Sequence, residues 1–283
     1  MMDALSDYGS ARYVIFGVPF DWTSSFRAGS RWAPDAMRKA SANFESYNAF
    51  FDLDLAELPI HDAGNLETYA SVEETQEDLS YAVGSITKDG KIPIMMGGEH
   101  SLTLPCARAC AEQAGDDFGV VTLDAHFDLR EEYAGSKNNH ACVSRRILEE
   151  VTDNQVSIGI RSGPREEWEF AKENDILYYT PEDVERSGIR KVLEETIEYL
   201  DCSRIYLSLD MDAIDPAFAP ALGTPEPFGL SPMDVREVIR TLAPMSIGFD
   251  VVEIAPEYDS GQTAILGAKL LREFIAAHAA GFR

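Results

Sequence analysis

Cysteine is scarce in this chain, and its pattern matches neither a disulfide framework nor a zinc site. Four cysteines occur in 283 residues, and none of them forms a C-x-x-C pair. This pattern argues against a small scaffold held together by disulfides. Cys106 and Cys110 stand four residues apart in a predicted helix and share one face of it, so we interpret them as small core residues.

Basic residues are also few. Lys and Arg number 24 against 49 Asp and Glu, which sets the formal net charge at −25. A surface this acidic repels nucleic acid and anionic lipid, so we predict no nucleic-acid partner. The acidic residues are spread along the whole chain, which favours a solubility adaptation to a salty cytoplasm over a charged binding face.

Long apolar runs are missing as well. The run at 92–96 is far too short to cross a lipid bilayer. Residues 1–8 lack the basic start and the apolar stretch of a secretory signal. We therefore expect no membrane partner and a cytoplasmic location.

What the chain does contain is a regular alternation of short apolar segments and helical patterns. Several apolar segments are nearly continuous, which is typical of strands buried on both faces of a parallel sheet. We predict a single, doubly wound α/β domain over residues 1–283. The predicted strands are 12–17, 58–62, 92–96, 118–124, 155–160, 176–179, 204–210 and 246–253. The predicted helices are 34–44, 72–87, 102–113, 142–151, 190–200, 232–242 and 263–279.

Ligand-type side chains follow four of these predicted strands. His100 comes shortly after one strand, and Asp124, Asp210 and Glu253 each end another. In open α/β sheets, ligands bind beyond the carboxyl ends of the strands. We therefore expect these four side chains to meet at one edge of the sheet.

The spacing around the two aspartates strengthens this expectation. Asp124, His126 and Asp128 alternate along the chain, as do Asp210 and Asp212, so each set can point to one face. Four carboxylates packed this closely would repel each other unless cations compensated them. Two divalent ions supply that charge, and oxygen ligands with two imidazoles suit Mn²⁺ best, with Fe²⁺, Co²⁺ or Zn²⁺ possible.

These motifs resemble the signatures of the ureohydrolase (arginase/agmatinase) family. The resemblance is carried by Gly-Gly-Glu-His at 97–100, Asp-Ala-His-Phe-Asp at 124–128 and Ser-Leu-Asp-Met-Asp-Ala-Ile-Asp-Pro at 208–216, with further similar blocks at 17–34 and 251–259. It implies a three-layer, mostly parallel eight-stranded sheet flanked by helices. It also implies two Mn²⁺ ions per subunit and a homo-oligomer, either a trimer or a hexamer.

The resemblance further implies a role for each site residue. One ion would be held by His100, Asp124, Asp128 and Asp210, and the other by Asp124, His126, Asp210 and Asp212. A hydroxide between the ions attacks the guanidinium carbon of a small cationic substrate, and Asp128 moves its proton. Glu253 would pair with the guanidinium. His140 would shuttle a proton to the leaving amine because its pKa is expected near the working pH, although a surface-loop histidine is the alternative.

The substrate is indicated by a different set of residues from those that indicate the reaction. Arg130 stands at a position where arginases resemble each other in having Asn, and this difference disfavours arginine as the substrate. The blocks at 140–146 and 256–263 are similar to those of agmatinases. We predict hydrolysis of agmatine to putrescine and urea. If Arg130 faces the pocket it would instead suit a carboxylate tail, as in 4-guanidinobutyrate, and Phe127 leaves the pocket wall open. The candidate counter-charges for the ammonium of agmatine are Glu131, Glu132, Glu257 and Asp259.

Three further acids are predicted to support the site. We expect Glu99 to contact a metal ligand or to begin a helix, Asp215 to hold a turn, and Glu226 to serve structure more than the pocket. Two rival functions remain open. A catalytically inactive family member would lack a ligand, and none is missing, whereas a metal-dependent deacetylase would need one zinc ion and fewer carboxylates.

Overall fold

A computed structural model describes residues 1–281 of the chain. Its strands are β1 (Tyr13–Gly17), β2 (Tyr47–Asn48), β3 (Leu53–Asp54), β4 (Ile60–Asn65), β5 (Ile92–Met96), β6 (Gly119–Leu123), β7 (Gln155–Ile158), β8 (Leu177–Tyr179), β9 (Ile205–Asp210) and β10 (Ser246–Val252). Strands β2 and β3 form a small antiparallel pair, and the others form one sheet in the order β4-β1-β5-β10-β9-β6-β7-β8. Every pairing in this sheet is parallel, which confirms the eight predicted strands.

Helices cover both faces of the sheet. They are α1 (Ala33–Ser41), α2 (Val72–Lys88), α3 (Thr103–Ala114), α4 (Val143–Glu150), α5 (Arg165–Glu173), α6 (Pro181–Ser187), α7 (Ile189–Leu200), α8 (Pro232–Leu242) and α9 (Gln262–Ala280). One apolar cluster joins α2, α3 and α4 to the sheet, and a second joins α1, α7, α8 and α9 to the opposite face. The predicted three-layer architecture is therefore confirmed.

The helix prediction was incomplete between β7 and β9. The Thr180 side chain and Asp183 form a capping box that begins α6, and Gly188, with φ near 81°, separates α6 from α7. Helix α5 was missed altogether. It is short, and an acid, Glu167, lies on its buried face together with Ala171, so the apolar periodicity that marks a helix is weak.

Two smaller expectations can also be compared with the structure. Cys106 and Cys110 are buried in the apolar cluster around α3, as free cysteines, which confirms their interpretation as core residues. Within residues 1–281, no helix is both long and apolar enough to cross a membrane.

The central strands explain why the site lies where it does. Strands β5, β10, β9 and β6 are consecutive neighbours, so their carboxyl ends lie side by side. The segment after β5 continues along β10, because the Gly97 amide donates to the Val251 carbonyl and the Glu253 amide donates to the Gly98 carbonyl, both at 2.8 Å. This pairing brings the loop that carries His100 against Glu253.

The two glycines before His100 are required by close backbone contact. A Cβ atom built on Gly98 would lie 1.7 Å from the carbonyl oxygen of Phe20. That oxygen accepts a hydrogen bond from the Glu99 amide at 2.9 Å, so it cannot move away without breaking the contact. A Cβ on Gly97 would lie 2.6 Å from a methyl group of Val252.

Substitution of Gly98 by alanine is therefore expected to destabilise the protein by at least about 1–3 kcal/mol, the usual cost of forcing extra volume into a packed region. The free energy of unfolding from urea denaturation measures this change. Gly84 in α2 provides the control, because a Cβ there meets nothing within 4 Å. Gly84→Ala should be neutral or stabilising by about 0.5–1 kcal/mol. A Gly98→Ala protein as stable as the unmodified chain would refute the close approach.

Candidate functional site

Two clusters of acids and histidines lie at the carboxyl edge of the central strands. In each cluster, one oxygen or nitrogen atom from every member lies within 4.8 Å of the others, as in a site that could hold a metal ion. The first cluster contains His100, Asp124 and Asp128, and the second contains Asp124, His126 and Asp212. Asp124 belongs to both clusters, so its carboxylate lies between the two candidate positions.

Asp210, the sixth predicted ligand, lies beside the first cluster. The Nδ1 atom of His100 is 3.2 Å from an oxygen of Asp210, and it is 3.1 and 3.2 Å from oxygens of Asp124 and Asp128. The Nδ1 atom of His126 is 3.0 Å from Asp212. The structure thus brings all six predicted residues together, while their coordination of metal stays a prediction.

Two atoms at the centre of this arrangement have no partner inside the described chain. Within residues 1–281, neither Nδ1 of His100 nor Oδ2 of Asp124 makes a hydrogen bond of good geometry, although both are buried. Buried polar atoms are normally satisfied. Three carboxylate oxygens surround one imidazole nitrogen without forming hydrogen bonds of good geometry to it. This arrangement is expected where all four atoms share a cation, so the residues present suit a metal centre.

The pKa values of the clustered side chains reflect their burial and the repulsion among their negative charges. Burial raises the pKa of Asp210 well above its usual range, and the neighbouring charges of Asp212 and Asp124 act in the same direction. Burial, followed by the charge of Asp124, raises the pKa of Asp128 to about 6. Burial favours the neutral form of His100, but the adjacent aspartates outweigh it and raise the His100 pKa. Divalent cations would relieve the same repulsion without protons.

The backbone holds the carboxylates in place. Asp124 accepts a hydrogen bond from the His126 amide at 2.6 Å, and Asp210 accepts one from the Asp212 amide at 2.8 Å. Asp128 and Glu253 adopt the left-handed backbone region, with φ of 52° and 63°. Such conformations are unfavourable for residues other than glycine and concentrate at functional sites. Their presence at two predicted site residues is consistent with constraint by function.

A hydroxyl and a buried acid orient His100, and the sequence motifs did not reveal this role. The Nε2 atom of His100 is 3.2 Å from the hydroxyl of Ser208, and that hydroxyl donates to Asp250 at 2.7 Å. Asp250 is fully buried and also accepts from Thr103 and Tyr206. Since the Ser208 proton goes to Asp250, the hydroxyl accepts from Nε2–H. With a bound cation in place of the second proton, this assignment would leave the Nδ1 lone pair free for the metal.

His140 is held by a similar pair, Thr23 and Glu99. The Thr23 hydroxyl donates to Glu99 and lies 3.1 Å from Nδ1 of His140, and it also accepts from the His140 amide at 3.0 Å. Glu99, fully buried, additionally accepts from Ser101 and from the Thr23 amide. Glu99 therefore supports His140 through Thr23, and it stands directly before the short 3-10 helix His100–Leu102, in agreement with the expected helix start.

The electrostatic setting of His140 differs from expectation. Its pKa had been expected near the working pH. Burial, reinforced by the positive charge of His100 and His126, instead lowers the pKa of His140 to about 4. The imidazole is thus neutral at neutral pH. With Nδ1–H donating to Thr23, its Nε2 atom is the acceptor.

One cavity of about 270 Å³ adjoins these groups. Its wall includes His100, His126, Asp128, His140, Asp210, Asp212 and Glu253 together with Arg130, Tyr133 and Glu167. Burial, reinforced by Glu99, raises the pKa of Glu253 to about 8. An acid held neutral by its surroundings becomes a strong partner once a cation such as a guanidinium arrives.

The structure corrects the predicted counter-charges for the substrate tail. Within residues 1–281, the cavity wall includes none of Glu131, Glu132, Glu257 and Asp259. Asp259 instead accepts from the Thr263 amide and hydroxyl at the start of α9, and Glu131 pairs with Lys137 at the surface. Apart from the clustered aspartates and Glu253, the acid that lines the wall is Glu167 of α5, which is 5% exposed. The signal that could have found it is an acid on the buried face of a short helix.

Arg130, Phe127 and Glu226 lie near the site, but of these three only Arg130 lines the cavity. Arg130 does line the cavity, and its Nε atom lies 3.7 Å from Glu167. Phe127 lies in an aromatic cluster, with its ring 4.7 Å from Trp168 and 4.9 Å from Tyr178. Glu226 accepts from the Ser162 hydroxyl at 2.9 Å and lies 3.8 Å from His126. It therefore lies closer to the site than expected.

Asp215 has the predicted structural role. Its two carboxylate oxygens accept hydrogen bonds from the amides of Ala217 and Gly229, at 2.8 and 3.0 Å. It holds the turn that follows the second aspartate pair, as expected for an acid before proline.

Comparison with known proteins agrees with this fold and site. The model of the arginase family matches residues 11–277. A relative named N(1)-aminopropylagmatine ureohydrolase, from Thermococcus kodakarensis, is 40% identical over 95% of this chain and 91% of its own length. An agmatinase from Halalkalibacterium halodurans is 36% identical over 95% of this chain and 93% of its own. The crystal structure of agmatine ureohydrolase of Thermoplasma volcanium has a TM-score of 0.94 and 45% identity, covering 99% of this chain and 94% of that one.

This chain therefore belongs to the arginase family, a family of enzymes, and the resemblance seen in its motifs is confirmed. The shared fold and the cluster of aspartates and histidines fit a binuclear metal site.

Replacement of Ser208 by alanine is expected to weaken divalent metal binding by about 10- to 100-fold, because Nε2 of His100 loses the acceptor that sets its tautomer. Titration of metal-free protein with Mn²⁺ by calorimetry measures the effect. Thr196→Val removes another buried hydroxyl, in α7 and outside the site, and should leave the metal affinity unchanged. Equal metal affinity in the Ser208 variant would rule out the orienting role.

Proposed function

We propose that this protein hydrolyses agmatine to putrescine and urea, with residues 1–283 acting as one ureohydrolase domain. The observation that carries the proposal is the meeting, in one cavity, of two acid–histidine clusters and the buried carboxylate of Glu253. Relatives named agmatinase support the choice of substrate. A cytoplasmic location and a trimeric or hexameric assembly remain predictions from the sequence.

Six residues would hold two Mn²⁺ ions: His100, Asp124, Asp128, Asp210, His126 and Asp212. When bound, such ions supply Lewis acidity that makes water a nucleophile near neutral pH and neutralises the developing charge. Mn²⁺ is preferred here because four carboxylates and two imidazoles form an oxygen-rich donor set.

Glu253 would bind and orient the guanidinium. Its carboxylate is held by the His100 amide, which donates to one oxygen at 2.8 Å. Burial makes this acid reluctant to ionise alone, so a guanidinium in the cavity gains a desolvated, charge-assisted pair. The planar group is thereby held with its carbon facing the aspartate clusters.

Asp128 and His140 would handle the protons. Asp128 lies at the first cluster with its pKa raised to about 6, so it can accept a proton and release it to the leaving amine. His140 presents Nε2 as an acceptor, 3.4 Å from the Ser25 hydroxyl, on the wall of the same cavity. In this protonation state His140 would take up the first proton that the attacking water loses, and Asp128 would carry the second proton of that water to the leaving amine.

One observation favours a second substrate. The wall of the cavity includes Arg130, whose guanidinium would suit the carboxylate tail of 4-guanidinobutyrate. Arg130 is already placed beside Glu167, however, and this neighbouring acid partly neutralises it. Agmatine is therefore preferred, since an ammonium tail complements the remaining acidic charge.

Protein loaded with Mn²⁺ is expected to release urea from agmatine, and removal of metal with a chelator should abolish the release. Glu253→Gln should lower kcat/KM by about 100-fold or more, because the bidentate charged pair is lost. A urea assay, run alongside a metal titration of each variant, checks both effects. Glu257→Gln removes an exposed acid close by in sequence and should change neither.

Faster turnover of 4-guanidinobutyrate or arginine than of agmatine would overturn the substrate assignment. Failure to release urea from any guanidine, with both metal ions shown to be bound, would overturn the enzymatic proposal itself.

A further inference from the structure

The outer nitrogen of His126 faces an acid, whereas that of His100 faces a hydroxyl. The Nδ1 atom of His126 lies 3.0 Å from Asp212, so its Nε2 atom points away from the aspartates. Nε2 lies 3.8 Å from Oε1 of Glu226, which is longer than a hydrogen bond. A histidine that binds a metal through one nitrogen almost always donates its other N–H to a fixed acceptor.

We propose that Glu226 is a positioning residue for His126 and that Arg161 holds it in place. Glu226 would accept the Nε2–H of His126 and so direct Nδ1 at the second metal ion. This inference rests on the metal centre of the proposed function. Ser162 and Thr224 line the cavity on this side, and Glu226 does not, so Glu226 would act on the metal ligand and not on the substrate.

Pairing of two backbone segments brings Ser162 beside His126. The amides of Arg161 and Ser162 both donate to the Ala125 carbonyl, at 2.9 and 3.0 Å, and Ser162 forms a parallel bridge with His126. The Ser162 hydroxyl donates at 2.9 Å to Oε1 of Glu226, the same oxygen that faces His126. A shift of roughly 1 Å would bring this oxygen within hydrogen-bonding distance of Nε2.

The side chain of Arg161 fixes the loop that carries Glu226. All five N–H groups of its guanidinium donate to main-chain carbonyls, which belong to Gly159, Asp212, Ala213, Glu226 and Pro227. Gly229 packs closely against it, since a Cβ there would lie 2.7 Å from Nη2 of Arg161. One guanidinium therefore joins the segment after β7 to both ends of the loop 212–227.

These carbonyl contacts leave the nearby carboxylates free. Arg161 donates to the main-chain oxygen of Asp212 at 2.8 Å, while the Asp212 carboxylate accepts from the Ala125 amide and the Thr224 hydroxyl, at 3.0 and 3.2 Å. Glu226 likewise gives its carbonyl to Arg161 and its carboxylate to Ser162. A carboxylate that is not neutralised by an arginine is the stronger acceptor for an imidazole N–H, and such an acceptor raises the basicity of the ligand.

Glu226→Ala tests the positioning role on a partly exposed side chain. Binding of one of the two Mn²⁺ ions to metal-free protein should weaken by about 10- to 100-fold, because His126 loses its outer acceptor, and the other should change less than about threefold. Two-site calorimetric titration measures both. Glu226→Gln keeps an oxygen acceptor and should restore part of the loss. Glu185→Ala truncates an exposed acid of α6 and should behave like the unmodified protein.

Nuclear magnetic resonance reads the hydrogen bond itself, in protein labelled with ¹⁵N at histidine and loaded with diamagnetic Zn²⁺. A hydrogen-bonded imidazole N–H exchanges slowly with water, so the Nε2–H signal of His126 should be present in the unmodified protein and absent in Glu226→Ala. The Nε2–H signal of His100, held by Ser208, should remain in both and is the internal control. Absence of the His126 signal from the unmodified protein, or its persistence in Glu226→Ala, would overturn the proposal.

Arg161→Lys tests the support of Glu226, because lysine keeps the charge and has only three donors. It should weaken the same Mn²⁺ ion as Glu226→Ala, and the double variant should bind within about twofold of the weaker single variant, since both act through one contact. Losses that multiply would refute the link between the two residues. Ser162→Ala, a smaller change in the same set of contacts, should weaken that ion several-fold and tests the link if the lysine variant does not fold.

Activity separates this proposal from the proposed reaction. Protein that shows the Glu226-dependent metal affinity and yet releases no urea from any guanidine would retain the positioning role and refute the hydrolysis. Unchanged affinities for both Mn²⁺ ions in Glu226→Ala would refute the positioning role whatever the activity. A raised KM for agmatine with unchanged Mn²⁺ affinities would instead place Glu226 in contact with the substrate and also overturn the proposal.

Discussion

Four aspartates from two neighbouring strands are buried around two histidines, and the repulsion among their charges governs the surrounding architecture. Burial raises the pKa of Asp128 and Asp210, while neighbouring imidazoles lower the pKa of Asp124. A site of this kind is stable only if protons or cations balance it. The strained backbone at Asp128 and the tight glycine at 98 are local costs of keeping these groups together.

His100 and His140 are both positioned by a hydroxyl that is itself bound to a buried acid. In each case a hydroxyl donates its proton to a buried acid and must accept from the imidazole: Ser208 with Asp250 for His100, and Thr23 with Glu99 for His140. The direction of the hydroxyl sets the tautomer. For His100 the nitrogen that would bind a cation faces the aspartates, and for His140 the acceptor is Nε2, the nitrogen nearer the Ser25 hydroxyl.

Reaction and recognition come from different strands. The acid–histidine clusters follow β6 and β9, and the proposed guanidinium anchor follows β10. Glu167, which lines the same cavity, lies beyond β7 on the short helix α5. Members of one family can therefore keep the reacting centre and change substrate through the segments after β6 and β7, since those segments line the rest of the cavity.

The sequence by itself determined the strands, the three-layer class and the identity of the clustered acids and histidines. Buried parallel strands are continuous apolar runs, and ligand-type residues at their ends are visible without coordinates. Tertiary structure alone decided which residues far apart in sequence became partners. It placed Glu167 in the cavity, removed Phe127 from it, and joined Glu99 to His140 through Thr23. Such contacts depend on how helices and loops pack across the sheet, and neither periodicity nor spacing along the chain encodes that packing.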